Sequence, residues 1–337
     1  MAGTGVMAMN SFSISEAYGA GFALVGRKPL HVLTWGIVYT VLRMLPAVLM
    51  FWMMGPEIFK AYGNLIASSV AGGDPQSGMQ EFAHTMSGIN SFESLGFLTG
   101  IFSMAIFNAA VYRAMIRPSD GGFLGLKLGM DEVWQGLLYL CLCILLFIFA
   151  ILIALAAGLL IMIVYFAGEA MGSPLGGWVK GLGITAACIG GIGSIIWVCL
   201  RFSLAGAATF DTRSFQLFES WSLTKGHSWS LFGLVLLLIV TMLVLEMVLG
   251  GIFLGIFFGL GSYSALSPES IEAFFAQDPN VWMMQAMPWI VGLTLVGALL
   301  SGAIYTVMLA PFASAYRQLT AKTAEPDHGQ PAPVPLA

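Results

Sequence analysis

Two ionisable side chains, Arg43 and Glu246, fall inside long apolar runs of the sequence, about 13 and 15 residues after their runs begin. At 1.5 Å per residue in a helix, that places each about 20 Å from the start of its run. Charges at such depth in a membrane are costly and usually face an opposite charge or a wet cavity. We therefore predict that Arg43 and Glu246 form an ion pair that joins two helices. A proton- or substrate-linked site, or no contact at all, are the alternatives.

Residue types that could perform catalysis are scattered along the chain. Asp131, Glu132, Asp211 and His227 show no recognisable spacing to one another. An intramembrane enzyme would require such residues to cluster in the fold. The four cysteines all lie within apolar segments, where cysteine is usually a packing residue. We predict no catalytic residue, no metal site, no cofactor and no enzymatic activity.

The composition of the chain indicates a membrane protein. Of the 337 residues, 58% are hydrophobic and only 9% are charged, whereas about 25% are charged in an ordinary soluble domain. A helix that crosses a bilayer needs about 20 apolar residues. Six runs meet this length, at about residues 30–54, 95–116, 137–167, 182–204, 231–260 and 289–313.

The distribution of Lys and Arg predicts the orientation. One side of the six spans holds ten of these residues and the other side two, Lys60 and Lys180. Lys and Arg accumulate on the cytoplasmic side of membrane proteins. Both termini are therefore predicted to be cytoplasmic. The ten residues are Arg27, Lys28, Arg113, Arg117, Lys127, Arg201, Arg213, Lys225, Arg317 and Lys322.

A weak internal repeat predicts how the spans are grouped. Gly26, Gly129 and Gly226 each follow an amphipathic stretch and precede a pair of spans. This placement predicts an all-α fold of three helical hairpins, each preceded by a cytoplasmic interfacial helix. Residues 1–323 would form a single membrane domain. Residues 324–337, rich in Pro and small residues, are predicted to be a disordered cytoplasmic tail.

The third interfacial helix is predicted within residues 201–229. Aromatic residues recur there at three-residue spacing, which suits a helix lying in the membrane interface. Such a helix could be an anchoring elbow that orients the fifth span. Alternatively, it could form a surface for lipid headgroups or a partner. The residues of this predicted surface are Arg213, Phe215, Phe218, Trp221, Lys225 and His227.

The same stretch carries a resemblance to a known family. Arg201-Phe-Ser-Leu-Ala205, followed by Glu219-Ser-Trp-Ser-Leu-Thr-Lys-Gly-His-Ser-Trp-Ser-Leu-Phe232, resembles the bacterial membrane-domain family named after glycerophosphoryl diester phosphodiesterase. In the proteins that give this family its name, catalysis belongs to a separate barrel domain of about 250 residues, for which this chain has no room. The resemblance implies a six-helix module of the bacterial inner membrane without phosphodiesterase activity.

Glycines at four-residue spacing mark a face of the fifth span. Gly251, Gly255 and Gly259 form this row, and Gly96 and Gly100 repeat the spacing in the second span. Small residues at this spacing let helix backbones approach closely. We predict close packing within the monomer, with a homodimer seam as the alternative.

These features favour a non-enzymatic inner-membrane protein that acts in envelope or lipid homeostasis or as an accessory subunit of a membrane complex. The alternative is a transporter or permease for a small or lipid-like substrate, with its site near Arg43 and Glu246. The expected partners are the lipid bilayer and a membrane protein or a second copy of the chain. Nucleic acid is not expected, because the sequence has no basic tract.

Overall fold

The computed structural model of the chain describes residues 12–70, 75–88, 90–259 and 279–324. These residues form ten helices and no β-strand. In chain order the helices are α1 (Ile14–Arg27), α2 (Pro29–Val70), α3 (Pro75–Ser87), α4 (Asn90–Ile116), α5 (Met130–Met171), α6 (Leu175–Phe202), α7 (Ala205–Thr212), α8 (Glu219–Leu223), α9 (Ser228–Gly259) and α10 (Pro279–Ala324). The predicted all-α fold is confirmed for this part of the chain. The predicted tail began at residue 324, which is instead the last residue of α10, and residues 325–337 lie outside the described residues.

Six of the helical segments are long and apolar enough to cross a membrane, which confirms the predicted number. Their bounds are wider than predicted, because polar and small residues at the ends continue each helix beyond the apolar run. The largest difference at a single helix end is in α2, where the prediction stopped at Met54 but the helix continues through Pro56 to Val70. Proline removes one backbone hydrogen bond, and membrane helices tolerate this because neighbouring groups compensate.

The buried core lies at one end of the bundle. It is formed by the beginnings of α2, α5 and α9 and the ends of α4, α6 and α10. Trp35 on α2, Phe107 on α4 and Phe210 on α7 are almost fully buried there. This is the end that the Lys and Arg distribution predicts to be cytoplasmic. Beyond the core, α9 presents apolar side chains outward around most of its circumference, and α5 does so on the sides that α6 does not cover, as lipid-facing helices do.

The predicted hairpins are packed to different degrees. α2 packs along α4, and α5 packs along α6 as far as the Glu169–Lys180 salt bridge of 2.6 Å. In contrast, α10 packs mainly against α1 and α2, and within the described residues it has little contact with α9. The third hairpin is therefore not a packed helix pair.

The prediction of an interfacial helix before each hairpin is wrong for the second hairpin. α1 precedes α2, and the short helices α7 and α8 precede α9, but residues 117–129 are not helical. Gly122 and Gly125 have positive φ angles of 156° and 80°, which a helix cannot contain. Side chains hold this loop in place: Trp35 Nε1 donates to Leu124 O at 2.8 Å and Arg113 Nη1 donates to Gly125 O at 2.7 Å.

Close backbone contacts between helices occur at glycines other than the predicted ones. A Cβ atom on Gly302 of α10 would overlap Val32 O on α2. A Cβ on Gly21 of α1 would lie 2.8 Å from Val307 Cα on α10. Real Cβ atoms do not approach backbone this closely. These glycines therefore allow α10 to lie directly against α1 and α2.

Candidate functional site: an arginine between two cavities

Arg43 lies within α2, 14 residues after its first residue, or about 21 Å along the helix. Its Nη1 donates a hydrogen bond of 2.9 Å to the backbone oxygen of Gly96 on α4. A Cβ atom on Gly100 would lie 3.5 Å from the same nitrogen. The glycines of α4 thus make room for the guanidinium group. The sequence pattern instead predicts that Gly96 and Gly100 bring two helix backbones together.

Cavities lie on both sides of Arg43. The larger, of about 470 Å³, lies between α2 and α10, and the smaller, of about 170 Å³, lies between α2, α4 and α5. Tyr39 and Arg43 line both cavities. The arginine is exposed, so it is not sealed within the protein.

Polar and aromatic groups form the wall of the larger cavity. The Thr40 and Ser301 hydroxyls are 3.0 Å apart and join α2 to α10. The Tyr39 and Tyr305 rings lie 4.8 Å apart, and both pack against Phe107. This aromatic layer separates the cavity from the core below it. The rest of the wall includes apolar groups, among them Met44 and Leu293.

The predicted Arg43–Glu246 ion pair is wrong. Within the described residues, Arg43 bonds to a backbone carbonyl and forms no ion pair with any carboxylate. Glu246 is exposed on α9, and that helix packs against α1, α6 and α10 near its first residues. Equal depth along two helices does not make them neighbours, because the helices between them decide which faces meet.

The predicted interfacial surface is divided by the fold. Helix α8 covers only five residues, so Phe215 and Phe218 lie before it in irregular backbone and remain exposed. Trp221 instead packs into the bundle, 5.1 Å from the Trp197 ring and 5.6 Å from the Phe202 ring. A single helix bearing all three aromatic residues is therefore wrong.

The charged members of that surface also differ in their surroundings. Arg213 ends α7 in a left-handed conformation, and its Nη2 lies 3.2 Å from Asp120 Oδ2. Lys225 is exposed, and His227 is half-buried with its backbone N–H bonded to Thr224 O at 3.2 Å. Only Arg213 thus joins a charge cluster.

That cluster is a site that the sequence analysis missed. Arg113 and Glu132 are 2% and 5% exposed, and Arg113 Nη2 lies 2.6 Å from Glu132 Oε1. Arg117 Nη2 lies 3.1 Å from Asp131 Oδ2, and its guanidinium stacks 4.1 Å from the Phe210 ring. The signal was present, because two arginines four residues apart and two adjacent carboxylates flank one short loop.

The cluster is built to hold helices together. Glu132 Oε2 also accepts the backbone N–H of Gly129 at 2.9 Å and so caps the start of α5. Gln135, which is 1% exposed, donates to Gly206 O on α7. Each carboxylate of the cluster therefore faces an arginine. Asp211, another of the acidic residues considered in the sequence, accepts a hydrogen bond of 2.9 Å from the Tyr316 hydroxyl. The arrangement links α4, α5 and α7 and presents no nucleophile beside a base.

Within the part of the chain that the structure describes, the glycine row of α9 does not pack against another helix. Gly251 and Gly255 have no heavy atom within 4 Å of an added Cβ, so the prediction of close intramolecular packing is wrong for both. The side-chain surroundings of Gly259, at the end of α9, lie outside the described residues. The face that carries Gly251 and Gly255 is left open.

The fold and the site define a class of protein, but the comparisons with known proteins identify no relative. The chain has the helices of a multi-pass membrane protein. In the part of the chain that the structure describes, no group of three or more His, Cys, Asp or Glu residues could hold a metal ion. No family model, no curated protein and no solved structure matches the chain.

Proposed function

We propose that this chain is a non-enzymatic protein of the bacterial inner membrane that binds an anionic lipid at Arg43 and acts in lipid or envelope homeostasis. The observation that carries the proposal is an arginine within a membrane-spanning helix that has two cavities beside it and no carboxylate partner among the described residues. The inner membrane and the cytoplasmic termini are part of the proposal. They are supported by the Lys and Arg distribution and by the family resemblance.

The charge of Arg43 supports an anionic ligand. A guanidinium group offers five N–H donors, and among the described residues Arg43 donates one hydrogen bond, from Nη1 to Gly96 O. An arginine in hydrocarbon is costly unless an anion or water meets its remaining donors. The planar guanidinium fits a phosphate or carboxylate with two parallel hydrogen bonds. A lipid headgroup supplies such an oxyanion from within the bilayer.

The shape and lining of the larger cavity support an amphiphilic ligand. Its volume, about 470 Å³, is in the range of about 300–1,000 Å³ typical of small-molecule sites. Hydroxyl groups of Thr40 and Ser301 lie near the arginine, and Met44 and Leu293 offer apolar contact. Headgroup oxygens would meet the polar part, and acyl chains would lie along the apolar part and the exposed faces of α2.

A second candidate function is transport of the same class of ligand. The position of the cavity within the span, rather than at its end, favours this reading. Transporters hold substrates near the bilayer midplane between helices that rearrange. Movement of a fluorescent lipid analogue between the leaflets of proteoliposomes would separate the two functions, since a binding protein leaves the rate at that of empty vesicles.

Native mass spectrometry of protein released from lipid nanodiscs tests lipid binding. Nanodiscs containing phosphatidylglycerol would be compared with nanodiscs of phosphatidylcholine alone. We expect a retained phosphatidylglycerol adduct on the wild-type protein and its loss in Arg43→Ala. Lys60→Ala is the matched control, because Lys60 is an exposed cation on the same helix away from the cavities.

Three results would contradict the proposal. Equal adducts on wild type and Arg43→Ala would mean that lipid is held elsewhere. Retention of free phosphate in place of a lipid would reassign the ligand. A co-purifying protein without bound lipid would favour the accessory-subunit function instead.

A further inference from the structure

Glu246 is a carboxyl group in the middle of an apolar helix without a partner in the described residues. It lies 18 residues after the start of α9, or about 27 Å along the helix. It is exposed and forms neither an ion pair nor a hydrogen bond through its side chain within the described part of the chain. The buried residues of α9, Leu231, Leu234 and Leu238, all lie in its first third. The carboxyl group therefore faces outward from the monomer.

The residues that share this face of α9 have the spacing of a coiled coil. They follow one another at intervals of four, three, four and three residues, which is the a/d pattern of a left-handed helix pair. We call this face the α9 seam, and it consists of Ile239, Leu243, Glu246, Gly250 and Phe253. All five are exposed, and Gly250 has no heavy atom within 4 Å of an added Cβ.

We propose that the α9 seam binds a second copy of this chain, with the two Glu246 carboxyl groups facing each other across a two-fold axis. A two-fold interface places each seam residue opposite or next to its own counterpart. Two carboxyl groups that share a proton supply one donor and one acceptor, so the group is complementary to itself. Glu246 would thereby gain a hydrogen bond that the described residues of the monomer do not offer.

The remainder of the seam suits this partner. Gly250, one turn after Glu246, lets the two backbones approach closely at that level. Ile239, Leu243 and Phe253 supply apolar contact above and below. Arg43, the cation in a span at a comparable depth, already donates to Gly96 O and lines the proposed lipid site. The dimer and the lipid site therefore use different residues, and either can fail without the other.

The mass of the protein in nanodiscs tests the existence of the dimer. We expect a species of twice 36.0 kDa for the wild type. Because polar contacts between membrane helices contribute about 0.6–2 kcal/mol, Glu246→Leu is expected to weaken dimerisation about three- to thirtyfold in dissociation constant. Glu246→Gln keeps a donor and an acceptor and should dimerise like the wild type. Energy transfer between labelled copies, diluted into vesicles, measures the constant.

Cysteine cross-linking tests which face is used. In a variant without the four native cysteines, Leu243→Cys lies in the seam and Val244→Cys lies on the other side of α9, at 55% and 54% exposure. We expect an intermolecular disulfide at residue 243 and none at 244.

A monomeric wild type would overturn the proposal. So would cross-linking at 244, on the side of α9 that carries Gly251 and Gly255. Unchanged dimerisation of Glu246→Leu would show that the carboxyl pair contributes nothing. If Arg43→Ala weakened dimerisation as much as Glu246→Leu does, Glu246 would be paired with an arginine of the second copy and not with its carboxyl group.

Discussion

Arg113 and Glu132 form a buried ion pair, 2.6 Å between Nη2 and Oε1, where α4 ends and α5 begins. The intervening loop of residues 117–129 wraps around this pair, and Arg113 also donates to Gly125 O within the loop. Because Glu132 caps α5 with its second oxygen, one carboxylate stabilises the start of α5 and neutralises Arg113 near the end of α4. The contact thus links α4 to α5 at the core end of the bundle.

Replacement of Glu132 by Gln should destabilise the fold strongly. Removal of one member of a buried ion pair costs about 3–5 kcal/mol when the other charge is left unpaired. Asp131 Oδ2 stays 3.6 Å from Arg113 Nη2, so we expect a loss of about 3 kcal/mol, at the lower end of that range. Thermal unfolding in detergent, followed by circular dichroism, measures the loss. Glu169→Gln is the control: its pair with Lys180 is solvent-accessible, and Glu169 is 65% exposed, so no measurable change is expected. Equal effects of the two variants would contradict a special role for the buried pair.

Gly302→Ala should separate α10 from α2. The added Cβ would overlap Val32 O and lie 3.0 Å from Gly36 Cα, so a backbone has to move. Overpacking of this kind costs about 1–3 kcal/mol, which should appear as a lower midpoint of thermal unfolding. Gly292→Ala on the same helix meets no atom within 4 Å. That control should be neutral or gain up to about 1 kcal/mol, as Ala does over Gly in a helix. A neutral Gly302→Ala variant would mean that the two helices are not in direct backbone contact.

Gly100→Val should abolish lipid retention although residue 43 is still an arginine. A Cβ would already be in contact with Arg43 Nη1 at 3.5 Å, so the γ-methyl groups of valine beyond it should displace the guanidinium. The adduct seen by native mass spectrometry should fall as it does in Arg43→Ala. Gly190→Val, on α6, has no atom within 4 Å of the new Cβ and serves as the control. An undiminished adduct in Gly100→Val would show that the position of the guanidinium is unimportant.

Cysteine accessibility should report the orientation. Gly121→Cys and Gly177→Cys lie in or beside the connections at opposite ends of the bundle, both exposed with no atom within 4 Å of the new Cβ. In a background without native cysteines, a membrane-impermeant maleimide added to intact cells should label residue 177. It should label residue 121 only after permeabilisation. The reverse pattern would place the termini outside the cytoplasm.

The sequence alone was sufficient for the number of spans. Each span is a run of apolar residues longer than the bilayer is thick, and this local property needs no information about neighbouring helices. Sequence pattern was not sufficient for residues 201–229, where side chains compete for hydrogen bonds to backbone groups. Ser220 Oγ donates to Arg201 O at 2.8 Å, and Gln216 N donates to Thr209 Oγ at 3.1 Å. Such contacts interrupt a helix that the aromatic spacing predicts.

The pairing of charges was decided by the tertiary structure. The sequence placed Arg43 and Glu246 at similar depth, but depth says nothing of direction around the helix or of which helices are neighbours. In the fold, α4 supplies Gly96 to Arg43, and α9 turns Glu246 outward. Arg113 and Glu132, which the sequence did not single out as a pair, meet because the loop between them reverses the chain. Composition and span length are properties of one segment, whereas an ion pair is a property of two segments and of everything that packs between them.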